Sequence, residues 1–176
     1  MRKILTLDLS AASTGWAKGP PDEDPTFGHY QLPATGADIG KFLAAYEDWL
    51  RLMIGGEDIA ILVFEAPILR PGKTHVTTAR KLMGLAGVTE MVCYRAGIRC
   101  AEGHIGRNKK QFAGHGAADK DTMMAVARRY GWDVTVDDEA DALALWVGAV
   151  CTYAKPHAAR FLAGPLGARP FKRAAA

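Results

Sequence analysis

The spacing of apolar positions changes several times along the chain, and each change marks an element. Lys3 to Leu9 (KILTLDL) reads as a strand, and Thr14 to Lys18, beyond the short SAAS link, as a second strand antiparallel to it. GPPDEDP breaks the pattern, and Phe27 to Leu32 predicts a third strand that closes a meander. Between Asp38 and Met53 the residues Ile39, Phe42, Leu43, Tyr46, Leu50 and Met53 recur at helical spacing, and Gly55-Gly56 ends the run. IAILVFE follows, a near-continuous apolar run of the kind found in a strand covered on both faces.

Thr77 to Ala96 is again helical, and GIRCAE is the fifth strand candidate. The stretch beginning at Gly103, GHIGRNKKQFAGHG, reads as a basic connection punctuated by glycine. Asp119 is placed to cap a helix to about Tyr130, with Met123, Val126, Ala127 and Tyr130 inward. A last helix from near Asp138, DEADALALWVGAVCTYA, is apolar almost all round and so should pack deep. From Pro156 the prolines, glycines and scattered basic residues predict a loosely ordered tail over 156–176, leaving one domain over 1–155. This order of elements predicts an α/β fold, a mixed five-stranded sheet with helices on both faces.

Against this pattern three acidic sites stand out. Asp8 lies inside the first strand, Glu65 ends the most apolar strand, and Asp138 with Asp141 opens the buried helix. The last two are three apart and project from one face of the first turn. If the first and fourth strands are neighbours and the last helix crosses their ends, the four carboxylates converge. Anions that close repel one another unless a cation sits between them. Oxygen-only ligands select hard ions, Mg²⁺ or Mn²⁺. Two such ions roughly 3.5–4 Å apart clamp the attacking and leaving oxygens of an in-line phosphoryl displacement. Taken singly, Asp138 also reads as a helix N-cap and Glu65 as the partner of a basic side chain, whereas a strand-interior carboxylate such as Asp8 is costly without a partner.

Composition narrows the partners. The chain has 176 residues, 49% of them hydrophobic, enough for one good-sized core. It has no run of eighteen apolar residues and no signal-type segment after Arg2-Lys3, so a soluble, cytoplasmic protein is expected. Cys93, Cys100 and Cys151 form neither a C-x-x-C pair nor a zinc pattern and read as reduced thiols. The net charge of +3 is unevenly spread: residues 70–129 hold twelve basic and four acidic residues, while residues 1–69 hold five and ten. A basic middle third suits a polyanion such as nucleic acid, or simply a solvated face. Its DNA-facing candidates are Arg70, Lys73, Arg107, Lys109, Lys110 and Lys120.

The motifs together resemble the RuvC family of Holliday junction resolvases, which have the ribonuclease H-like fold. ILTLDLSAASTGWA is similar to that family's opening strand, turn and Thr-Gly-x-Ala. ILVFEAP is similar to the strand ending in its second acid, DEADALAL to its closing D-x-x-D helix, and KKQFAGHGAADKDTMMAVARRYG to its Lys-rich Gly-x-Gly segment. The resemblance runs from about residue 3 to residue 153, in the expected order. It implies metal-binding catalytic acids at Asp8, Glu65, Asp138 and Asp141, with Lys109 and Lys120 contacting scissile-strand phosphates or stabilising developing charge; Lys110 is an equally basic neighbour of Lys109. It further implies two Mg²⁺ ions, for which Mn²⁺ substitutes, and hydrolysis of DNA to 5′-phosphate products. A homodimer nicking both strands of a four-way junction completes the picture, with the Thr77–Ala96 helix as candidate dimer surface.

The chain departs from the family pattern at three places. Leu9-Ser10 replaces Pro-Gly, as in divergent phage-type relatives, and His115 stands between the two glycines. After the second acid, APILRPGK offers Ile68 and Leu69 where the family places an aromatic; such stacking is worth roughly 1–3 kcal/mol per base. Three other functions share parts of the pattern. They are a nuclease acting on RNA or on simpler DNA branches, an actin-like ATPase whose DLSAASTG hairpin holds phosphates, and a branched-DNA-binding module without catalysis.

Overall fold

The computed structural model describes residues 2–65, 67–69 and 72–162. Three strands open the chain: β1 (Lys3–Leu9), β2 (Ser13–Gly19) and β3 (Thr26–Gln31). They are followed by α1 (Ile39–Ile54), β4 (Ile59–Glu65), α2 (Val76–Ala96) and β5 (Arg99–Gly103), then by α3 (Ile105–Ala113), α4 (Lys120–Arg129) and α5 (Asp137–Tyr153). A 3₁₀ turn (Lys155–His157) and a short α6 (Ala159–Leu162) follow. The five-stranded sheet has the order β3-β2-β1-β4-β5. The meander strands pair antiparallel, whereas β1 with β4 and β4 with β5 pair parallel. The α/β expectation, a mixed sheet with helices on both faces, holds. Among the described residues no helix is long and apolar enough to cross a membrane.

Strand alternation divides the core in two. Leu5, Leu7 and Leu9 of β1 and Leu62 and Phe64 of β4 point to one face, where Phe42, Tyr46 and Leu50 of α1 and Leu85, Val92 and Cys93 of α2 cover them. Ile4, Ile61 and Val63 point to the other face and meet α4 and nearly the whole of α5. Thr6 is also on this second face and donates from Oγ1 to the Ala142 carbonyl of α5 at 2.8 Å. The same period of two puts the next residues of that set, Asp8 and Glu65, toward α5 at the ends of their strands.

Two expectations are corrected. The GHIGRNKKQFAGHG connection is largely a helix, α3, which Gly114 ends in a left-handed conformation with φ 87°. Its glycines and charges hide the periodicity, and Asn108 and Phe112 are its buried side chains among the described residues. Asn108 sits against Gly103 and Gly148, and Phe112 stacks on Tyr130 and Trp132 with centroids 5.5 and 6.3 Å apart. The chain beyond Pro156 is not loosely ordered as far as residue 162. Phe161 is 1% exposed and packs edge-on against Trp146 at 5.8 Å, and Arg160 pairs with Asp24; a composition rich in Pro and Gly outweighs these anchors in a sequence reading. Residues 163–176 lie outside the described residues.

Candidate active site

Three elements bring the predicted acids to one place. β1 and β4 are parallel neighbours, with Leu7 opposite Phe64, so Asp8 and Glu65 end adjacent strands on the same face. The start of α5 lies across them because Gly15 lets it: a Cβ at this position would stand 2.0 Å from the Asp138 carbonyl oxygen, closer than any side chain tolerates. Asp8 and Gly15 are register partners, so the contact holds α5 at the level of Asp8.

The first turn of α5 is fixed by its own residues. Val136 is the N-cap and offers no side-chain acceptor; Glu139 supplies one instead. Its Oε2 accepts from the Thr135 backbone N–H at 2.7 Å and from Thr135 Oγ1 at 3.2 Å, and its Oε1 lies 3.0 Å from His29 Nδ1 on β3. Burial opposes charge on Glu139, but these bonds outweigh it and hold its carboxyl below the usual range. Asp138 is therefore released from capping, and its Oδ2 accepts a hydrogen bond from the Ser13 hydroxyl.

The electrostatics follow from crowding like charges at a half-buried strand end. Asp8 is pushed well above the carboxylate range, first by burial and then by Glu65, Asp141 and Asp138, with Lys109 pulling back. Glu65 is pushed up to about 7 by burial and by Asp141, against Lys109. Burial also raises Asp141, which Lys109 eases from 3.4 Å. Lys109 is an ionic partner of Asp141 Oδ1, a buried oxygen on which no donor is well aligned for a hydrogen bond.

The donor set is oxygen-only and anionic, which fits a hard divalent cation, and the orphaned Asp141 oxygen and the raised carboxyls fit one as well. Among the described residues, however, no three His, Cys, Asp or Glu side chains stand as a closed ligand cluster. The fit is in charge and donor chemistry, not in a preformed cage. Four neighbouring carboxylates with only lysine between them are expected to stand apart.

Of the basic residues, Lys109 reaches Asp141 from α3, whereas Lys110 and Arg107 on the same helix are exposed to solvent. Lys120, at the start of α4, is 75% exposed and pairs with Asp137. Lys73 is exposed in the turn before α2, His115 is exposed between its glycines, and Arg70 lies outside the described residues. Ser13, Asp137 and the His29–Glu139 pair were not singled out from the sequence. Ser13 and His29 carry no local signal, and Asp137 was masked by the D-x-x-D pattern that starts one residue later.

Comparison with solved structures places the fold. The chain superposes on the RuvC of Thermus thermophilus with a TM-score of 0.59, at 15% identity, over 86% of its own length and 96% of that chain. A T. thermophilus RuvC in complex with a Holliday junction substrate matches with a TM-score of 0.67 at 10% identity, over 89% and 97%. The chain has a RuvC-like, ribonuclease H-like fold. The yeast mitochondrial Holliday junction resolvase Ydc2 shares the RuvC-like fold at a TM-score of 0.53 and 11% identity, covering 89% of this chain and 83% of that one. No protein-family model and no curated protein matches the sequence.

Proposed function

We propose that this protein is a metal-dependent endonuclease that resolves four-way DNA junctions by paired nicks, leaving 5′ phosphates. The observation that carries this reading is the convergence of Asp8, Glu65, Asp138 and Asp141 from two parallel strands and one helix on a RuvC-like fold. Two Mg²⁺ ions held by these carboxylates, or Mn²⁺ in their place, would supply Lewis-acid activation of the attacking water and charge neutralisation at the leaving 3′ oxygen. The chain's own residues do the rest. Ser13 orients Asp138, Gly15 and Thr6 fix α5 against the sheet, and Lys109 stands ready to exchange Asp141 for a phosphate oxygen once the acids are neutralised. Arg107, Lys110, Lys73, Arg70 and Lys120 would contact the flanking phosphates.

Two symmetry-related strands of a junction call for two active sites, so the working form is proposed to be a cytoplasmic homodimer. Val76, Met83 and Tyr94, at 70, 54 and 87% exposure, support the α2 surface as its interface. A broader branched-DNA nuclease is the second reading, favoured by the side chains after Glu65. Ile68 is 62% and Leu69 41% exposed, and neither offers a ring on which an unpaired base could stack.

The test is incubation with labelled four-way, three-way and linear DNA in Mg²⁺, beside an Asp8→Asn control. Paired nicks confined to the four-way junction and absent in the control bear the first reading out; cuts in every branched form favour the second. No cleavage in either Mg²⁺ or Mn²⁺ removes both and leaves a binding module.

A further inference from the structure

Lys120, one of the lysines that the nuclease reading places on the DNA, does not stand free at the acidic centre. Lys120 Nζ is paired with Asp137, a fifth carboxylate at the first position of α5 and outside the D-x-x-D pair. The five acids of the centre thus differ in their counter-ions. Asp138 takes a hydrogen bond from Ser13, Asp141 faces Lys109 at 3.4 Å, and Asp137 has the Lys120 ammonium in closer contact. The partners also come from different elements. Lys120 opens α4 immediately after its N-cap Asp119, so the ion pair ties the first turn of α4 to the first turn of α5. A side chain that is 75% exposed on a flexible four-carbon stem would otherwise sample much of the surrounding solvent.

We propose that Asp137 is a positioning residue: it holds the Lys120 ammonium over the start of α5, so that a phosphate of the bound strand meets it already in place. An ammonium has three N–H donors, and one contact with Asp137 leaves others for phosphate oxygens. Asp137 is suited to this because it faces α4, while Asp138 beside it faces β2. It therefore serves as the partner of Lys120 without joining the cation ligands. The inference rests on the nuclease reading above.

The pair is tested by a double-mutant cycle in cleavage of a four-way junction, with Asp137→Asn, Lys120→Ala and the double variant. Asp137→Asn should lower kcat between about 10- and 100-fold while KM for the junction changes less than about 2-fold, as expected for a misplaced group. In the Lys120→Ala background the same substitution should change nothing further. Independently of activity, amine labelling followed by mass spectrometry should modify Lys120 faster in Asp137→Asn than in wild type, with the melting temperature unchanged. Unchanged labelling, a wild-type kcat, or effects that multiply in the double variant would overturn the positioning role. Absence of cleavage by the wild-type protein in Mg²⁺ and Mn²⁺, with labelling still accelerated, would instead sink the nuclease reading and leave the ion pair a purely structural tie.

Discussion

Gly15 and Asp138 touch through their backbones, and this contact sets the distance between the sheet and the first turn of α5. A methyl group at 15 would lie 2.0 Å from the Asp138 carbonyl oxygen and 2.5 Å from its carbon, where no flexible side chain can give way. Gly15→Ala should therefore push the first turn of α5 off β2. The expected outcome is a loss of about 1–3 kcal/mol of stability, the usual cost of overpacking, with cleavage falling much further than stability. Thermal melting and junction cleavage on the same preparation check this.

Glu65 makes the isolated acidic centre a liability at neutral pH. Its folded-state value of about 7 lies above its ordinary 4.5, so between those values the native protein holds a proton that the unfolded chain has released. Stability should fall as pH rises through this window and level off above it. Glu65→Gln should flatten the slope and raise the melting temperature at pH 8, while abolishing cleavage. Saturating Mg²⁺ should flatten the wild-type slope too. A melting series from pH 4 to 8, with and without Mg²⁺, reads all three effects; a wild-type melting temperature that rises across the window would contradict the assignment.

Lys109 and Lys110 are adjacent in sequence but face different surroundings, one against Asp141 and one in solvent. Lys109→Ala should cut kcat by about 100-fold or more, the scale for losing a positioned charge at developing negative charge. Lys110→Ala should leave kcat near wild type and lower the salt slope of junction binding by about 0.9. Binding titrations in Ca²⁺ across a salt series, paired with single-turnover cleavage, separate the two.

Phe161→Ala tests where the packed unit ends. The ring is 1% exposed among Tyr130, Trp146 and the rest of the α5-face core, so its removal should cost about 3–5 kcal/mol. Denaturant unfolding of this variant, beside a chain shortened to residue 155, should show similar losses.

Much of this was written plainly in the sequence, and what was missed has a common physical cause. β1 was read to the residue and β4 matched its IAILVFE run, because a strand buried on both faces has no polar competitor for its pattern; the odd acids then stood out against it. α3 was lost because a short, charged helix flanked by glycines has no periodicity to read; its stability comes from packing against α5. Ser13, Asp137 and His29 were missed for a different reason. Each matters through a partner more than fifteen residues away, Asp138, Lys120 and Glu139, and no local rule encodes such pairs. The pairing of β1 with β4 had to be assumed from the acids; register confirms it.

The burial of α5 on nearly every side has a consequence for inheritance of change. Two of the four proposed ligands ride on one rod and two on the sheet beneath it, so no loop lies between them to absorb a shift. A substitution at Trp146 or Leu143, well down the helix, should register as altered metal affinity before the protein loses its fold. Variation in this chain should therefore be tolerated least along the interior of its last long helix, including positions that never meet DNA.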